Sequence, residues 1–250
     1  MSNLPKGLSF GKIWDYNLIM GIRKVPFVEG EYYHIYNRGN SKQKIFLDKE
    51  DYNRFIKLLY LCNSSKNLNF RDNIKDKKIE ALNFERGDQI IAIGVWVLMP
   101  NHFHLCLSIP KGRTFGNGER ENRISLFVKK VCTSYTMYFN RKYNRSGSLF
   151  EGKFKSQYVV DDKYLKYLFS YIHLNPIKII QKDWKEKGIN SKEEALGFLN
   201  NYKYSSYLDY IGISRAESKI LNKKSFPGYF PTPENINKEI FEWLSYKDNI

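Results

Sequence analysis

His102 and His104 are separated by a single residue and follow an apolar run at 95–99 and the pair Pro100-Asn101. Side chains alternate along a β-strand, so in a strand both imidazoles project to one face. Phe103, Leu105 and Leu107 then project to the other. Two imidazoles side by side make half of a metal site. Imidazole suits Zn, Mn, Fe and Cu, and Mg²⁺ can complete an oxygen shell from substrate phosphates. By itself such a pair is a weak signal, because many strands carry two histidines that are carboxylate partners or simply exposed. Cys106 shares their parity and is expected to pack as a small apolar residue under a helix.

Further along lies the run Tyr171-Ile172-His173-Leu174-Asn175-Pro176. The proline disfavours a helical backbone at Asn175 and is expected to end a helix there. At 3.6 residues per turn, Tyr171 lies roughly 40° from Asn175 and roughly 100° from Ile172. Tyr164 and Tyr167 share the tyrosine side, and all three phenols would serve equally well as hydrogen-bonding groups at the rim of a core. Asn175 would serve equally well as a helix cap. His173 falls on the far side from Tyr171 and is left out of the site. A phenol, an amide oxygen and two imidazoles are the parts of a metal-assisted DNA-nicking site, provided the two segments meet.

The elements that must bring them together are legible as patterns. Residues 31–37 are aromatic and β-branched and read as a first strand, closed by the turn Arg38-Gly39-Asn40. Residues 48–66 carry Tyr52, Phe55, Ile56, Leu59 and Leu61 or Cys62 at helical spacing. Residues 70–88 are charged and patternless, which suggests a surface loop or insertion. Residues 89–99 form a second strand, apolar on both faces, and residues 102–109 a third. A glycine-rich loop at 111–118 precedes a second helix over 125–143. A fourth strand over 154–160 leads to a third helix over 162–175, capped by Asp161. The order β-α-β-β-α-β-α predicts an α+β fold, a ferredoxin-like sheet with one extra helix. Two helices cover one sheet face, leaving the extra helix to cross the face where His102 and His104 point. Beyond it, Ser191 and Glu194 open a helix with a capping box, and Thr232-Pro233 opens one with Ile236, Ile240, Trp243 and Leu244 on one side.

The bulk numbers fit a nucleic-acid partner. The chain has 250 residues and 42% hydrophobic content, enough for a real core. Forty-one lysines and arginines against 26 acidic residues give a net charge of +15, which points to a polyanion. Aromatic residues make up 16%, so bases can be stacked as well as phosphates held. The stretch 141–155 contains Arg141, Lys142, Arg145, Lys153 and Lys155 with Phe150 and Phe154 interleaved. With Arg38 after the first strand and Lys129 and Lys130 on the second helix, it is the expected DNA-binding surface. Three widely spaced cysteines argue for reduced thiols in a cytoplasmic protein. No apolar run is long enough to span a bilayer, and residues 1–15 carry no signal-peptide core.

Together these segments resemble the REP-associated tyrosine transposases, relatives of the single-strand insertion-sequence transposases of the HUH superfamily. The runs at 96–104 and 167–178 look like the family's two signature segments. Residues 32–46, 149–165 and 202–212 resemble its first strand, fourth-strand region and a segment after the catalytic helix. The resemblance covers about 26–211 and implies an HUH-type nuclease fold, a ferredoxin-like (RRM-like) βαββαβ sheet with an additional C-terminal catalytic helix. It implies His102, His104 and Asn175 as ligands of a divalent ion (Mg or Mn), and Tyr171 as the nucleophile that forms a 5′-phosphotyrosine. It also implies single-stranded DNA nicking and joining on REP-like hairpins, in the service of transposition or recombination. Met20 resembles a usual family start. The expected organisation is therefore an N-terminal extension at 1–25, a nuclease domain at 26–180 and a C-terminal helical extension at 181–250. Short linkage into the third helix favours a monomer, with a homodimer that exchanges this helix as the alternative. Two rival readings stand beside this one. The first is a non-catalytic single-stranded nucleic-acid-binding protein on the same sheet. The second is a phosphodiesterase that uses water, with Tyr171 structural.

Overall fold

The computed structural model describes residues 26–66, 74, 80–112 and 123–245. The expected leader at 1–25, residues 70–73 and 75–79 of the insertion and most of the glycine-rich loop lie outside the described residues.

The strands β1 (Tyr32–Arg38), β2 (Ala92–Met99), β3 (His102–Ser108) and β4 (Lys155–Tyr158) form one sheet in the order β2-β3-β1-β4. All three pairings are antiparallel. The helices α1 (Lys49–Leu61), α2 (Arg123–Lys142) and α3 (Asp162–Leu174) interleave with the strands in the order expected from the pattern. The result is a mixed α+β architecture with helices on both sheet faces.

The period-2 alternation sorts the strands' side chains into two apolar cores. Ile35, Trp96, Leu98, Phe103, Leu105 and Leu107 face α1 and α2, where Phe55, Leu59, Phe127 and Tyr135 cover them. Val95, Val97, Met99 and Cys106 face the other way, under Leu165, Leu168, Phe169 and Ile172 of α3. β2 is buried along its whole length because it is covered on both sides, which is why it reads as a continuous apolar run. Cys106 packs in this second core, as expected.

After α3 the chain continues through α4 (Ile177–Ile180), α5 (Trp184–Lys187), α6 (Lys192–Asn201), α7 (Tyr207–Tyr210) and α8 (Pro233–Ser245). Ser191 caps α6 by accepting from the Glu194 N–H at 3.1 Å. Ile236, Ile240, Trp243 and Leu244 of α8 are buried in the same cluster as α3. The boundary expected at residue 180 therefore runs through one continuous core. Residues 204–206 also close the β2 edge. Leu98 N donates to Tyr204 O and Ser206 N to Trp96 O, each at 2.9 Å. An otherwise open sheet edge is thereby satisfied within the chain.

Candidate active site

β3 begins at His102, directly after the Pro100-Asn101 turn, and Met99 pairs with His102 across it. In the register of β1 with β3, His102 lies opposite Arg38, His104 opposite Tyr36, and Cys106 opposite His34. Directly opposed residues share a sheet face, so His34, Tyr36 and Arg38 share the face of His102 and His104. That face is the one α3 crosses.

Asp161 starts α3 as its N-cap, accepting from Tyr164 N at 2.7 Å. Tyr164, Tyr167 and Tyr171 form a ladder of rings down one side, with successive centroids 6.1 and 6.0 Å apart. At the C-terminal end the structure corrects one expectation. Pro176 does not push Asn175 out of helical conformation, since Asn175 has φ −51° and ψ −40°. Pro176 lacks an N–H but fits a helical φ, and the chain carries on into α4. Asn175 therefore stays on Tyr171's side, one turn on. Its Nδ2 donates to Tyr171 O at 3.2 Å.

The two segments meet. The Tyr171 ring packs edge-on to His104 with centroids 5.8 Å apart, and His102 and His104 are 5.0 Å apart. The Asn175 amide lies near both the His102 ring and the Tyr171 hydroxyl and influences the pKa of each. His104 and Asn175 are each only 1% exposed, so the site is largely closed to solvent in this conformation. His173 sits outside it, as expected, and bonds Ser206 Oγ at 3.0 Å through Nε2.

Burial dominates the electrostatics. It lowers His102 to about 4, and the neighbouring charges of Lys178 and Arg38 add to the effect. The ring is neutral at physiological pH, the state that ligates metal. Burial raises Tyr171 to about 12, partly offset by the Asn175 hydrogen bond. The phenol is thus protonated at rest, and a nearby cation would favour its ionised form.

The donor set fits a divalent ion: two imidazoles and an amide oxygen, with room in the shell for phosphate oxygens. Outer contacts suit it too. His102 Nδ1 lies 2.6 Å from Asn101 Oδ1, an acceptor that fixes a proton on Nδ1 and leaves the lone pair on Nε2. Among the described residues, no three His, Cys, Asp or Glu side chains come together as an all-protein cage.

The expected DNA-binding residues separate into two groups. Arg38 is opposite His102, and Lys155 is opposite Tyr36 in the β1–β4 pairing, so both flank the site. Arg38 also pairs with Glu151, and Lys153 is exposed in the loop leading to Lys155. The others belong elsewhere. Lys129, Lys130 and Arg141 lie on α2, which covers the opposite sheet face. The Lys142 ammonium is held by Asp48, Glu50 and Asp51 at 2.8, 2.9 and 3.0 Å, tying α2 to the start of α1. The Arg145 guanidinium lies over the Phe139 ring. Phe150 is 5% exposed and packs edge-on to Phe103, so it is a core residue and not a surface for stacking bases. Interleaved aromatic and basic residues mark a groove only if the aromatics point outward, and here Phe150 points inward beside the likewise buried Leu149.

Sequence reasoning missed three residues. His34 and Tyr36 sit on the site face of β1, and their parity opposite Tyr33 and Ile35 was the available signal. Lys178, two residues past the proline, is half-buried and close enough to His102 to lower its pKa.

No family model matches the chain, and no curated protein matches it. Among solved structures it is similar to a REP-associated tyrosine transposase bound to a REP hairpin. That chain is 13% identical, with 79% of this chain and 90% of that one covered and a TM-score of 0.44. A chain of Deinococcus radiodurans R1, provisionally assigned as a transposase, is 14% identical over 62% of this chain and 95% of its own, with a TM-score of 0.31. A bacterial tRNA(His) guanylyltransferase-like protein in complex with ATP is 11% identical over 89% and 94%, with a TM-score of 0.41. Among the described residues, no helix is long and apolar enough to cross a membrane.

Proposed function

We propose that this chain is a metal-dependent single-strand DNA endonuclease and strand transferase of the HUH tyrosine type. In this reading the sheet is ferredoxin-like and α3 is the catalytic helix. The observation that supports it is the convergence of Tyr171, His104, His102 and Asn175 from two distant segments at one end of the sheet. The distant structural likenesses do not carry it.

His102, His104 and Asn175 would hold a Mg²⁺ or Mn²⁺ ion. Such an ion, when bound, polarises a non-bridging oxygen of the scissile phosphate and favours the phenolate. Tyr171 Oη attacks phosphorus. The Oη–P bond forms, the bond from phosphorus to the 3′-oxygen breaks, the phenol gives up its proton and the 3′-oxygen takes one up. The product is a 5′-phosphotyrosine and a free 3′-hydroxyl. Because the covalent bond conserves the phosphodiester, a 3′-hydroxyl attacking it joins strands without a nucleotide cofactor. Lys178, Arg38 and Lys155 hold phosphates around the reacting centre. A REP-like hairpin suits this layout, since its duplex supplies phosphates to the cations and its single-stranded foot enters beside Tyr171. The burial of α8 against α3 within one chain favours a monomer that cuts with its own tyrosine.

The test is incubation with end-labelled hairpin oligonucleotides and Mn²⁺ or Mg²⁺, resolved on a denaturing gel. A metal-dependent nick with a protein-sized adduct on the 5′ side supports the reading. Binding with no nick under any metal would leave a nucleic-acid-binding protein, and nicking retained by Tyr171→Phe would leave a water-using phosphodiesterase.

A further inference from the structure

His34 is the third histidine on the site face, and the proposed chemistry gives it no role. Its Nε2 lies 2.8 Å from His104 Nδ1. The two rings are nearly parallel, 25° apart, with centroids separated by 5.0 Å. His34 is directly opposite Cys106, one pair along from Tyr36 and His104, so it reaches His104 diagonally across the sheet. Its ring also meets the Tyr171 ring edge-on at 6.1 Å. His34 is buried, which keeps it from meeting a substrate directly.

A hydrogen bond between two imidazoles contains one proton, and its location decides what His104 can do. If His34 Nε2 carries the proton, His104 has its N–H at Nε2 and cannot ligate through that atom. If His104 Nδ1 carries it, the lone pair of His104 is on Nε2, on the ring's opposite edge. Metal-ligating histidines typically donate their second N–H to an outer partner, which fixes tautomer and ring plane. Asn101 already stands in that relation to His102.

We infer that His34 is a positioning residue: it accepts the Nδ1–H of His104 and so fixes the tautomer and ring plane in which His104 Nε2 can ligate a divalent cation. The inference rests on the metal site of the proposed function. An imidazole acceptor differs from the more common carboxylate in adding no negative charge beside the scissile phosphate. It also ties the orientation of His104 to a ring that touches the nucleophile Tyr171.

The test uses the full chain with ¹⁵N-labelled histidine. Metal-free NMR reads the tautomer of each ring, with His104→Gln assigning the His104 signals. The wild-type chain is expected to show His104 protonated at Nδ1, and His34→Ala a shift toward protonation at Nε2. Calorimetric titration with Mn²⁺ is expected to show affinity falling about 10–100-fold in His34→Ala. His34→Gln, whose amide oxygen can accept the same proton, should restore most of it. A wild-type His104 protonated at Nε2 overturns the inference without any variant. Equal Mn²⁺ affinity in wild type and a folded His34→Ala overturns this inference alone. No Mn²⁺ binding by the wild-type chain overturns the metal site itself, and the inference with it.

Discussion

Tyr171 meets His104 edge to face across the interface of helix and sheet, with ring centroids 5.8 Å apart. The contact brings a potential nucleophile to a potential metal ligand, and it sits at the end of α3 where Asn175 adds an amide.

His102→Ala and His104→Ala should each abolish measurable cleavage, and Asn175→Ala should weaken it. A bound ion contributes several kcal/mol to the transition state, so losing a ligand costs on the order of 10³-fold in rate. Excess chelator should silence the wild-type chain and Mn²⁺ should restore it. Full cleavage in chelator would remove the metal from the account.

Cations near the site should matter, and those on α2 should not. Lys155→Ala and Lys178→Ala are each expected to weaken hairpin binding and to reduce the salt slope by about 1. Lys129→Ala and Arg141→Ala should leave both nearly unchanged, because α2 covers the other sheet face. Filter binding at several salt concentrations decides the matter, and the reverse ranking would place the DNA on the α2 face.

Much of this was legible in the sequence, for a physical reason. Alternation in β3 fixes His102 and His104 on one face, and helical spacing puts Tyr171 and Asn175 one turn apart. Those are local rules, and they held. Non-local facts were less accessible. His34 joins the site only because β1 lies beside β3, which no local pattern states. Lys142 looked like a DNA contact until Asp48, Glu50 and Asp51 were brought beside it. Phe150 looked exposed in a basic loop, yet its ring completes a core around Phe103. The C-terminal segment showed its amphipathic stripe at Ile236, Ile240, Trp243 and Leu244, but not that the stripe would cover α3.

The Trp243 ring packs against Tyr167 with centroids 5.2 Å apart. Trp243→Ala should therefore cost about 3–5 kcal/mol of stability, read from denaturant melts, and should slow cleavage by loosening α3. A Tyr171→Phe chain mixed with a His102→Ala chain should remain inactive if each chain uses its own tyrosine. Recovered cleavage would mean that α3 is exchanged between subunits.

Burial pushes the Tyr171 phenol up to about 12, so the reactive phenolate is a minor species at neutral pH. Below that pKa its fraction grows about tenfold per pH unit. Single-turnover cleavage should accordingly rise with pH from about 6 to 9 at fixed Mn²⁺. A flat profile would show that loss of the phenol proton does not limit the step.

The most direct measurement locates the covalent bond. After reaction with a hairpin oligonucleotide and Mn²⁺, nuclease trimming and proteolysis, mass spectrometry should find a nucleotide on the peptide spanning 167–178. Fragmentation should assign it to Tyr171, and Tyr171→Phe should bind the hairpin yet give no adduct. An adduct on Tyr167, Tyr164 or Tyr36, or cleavage with no adduct at all, would contradict the assignment of Tyr171 as the nucleophile.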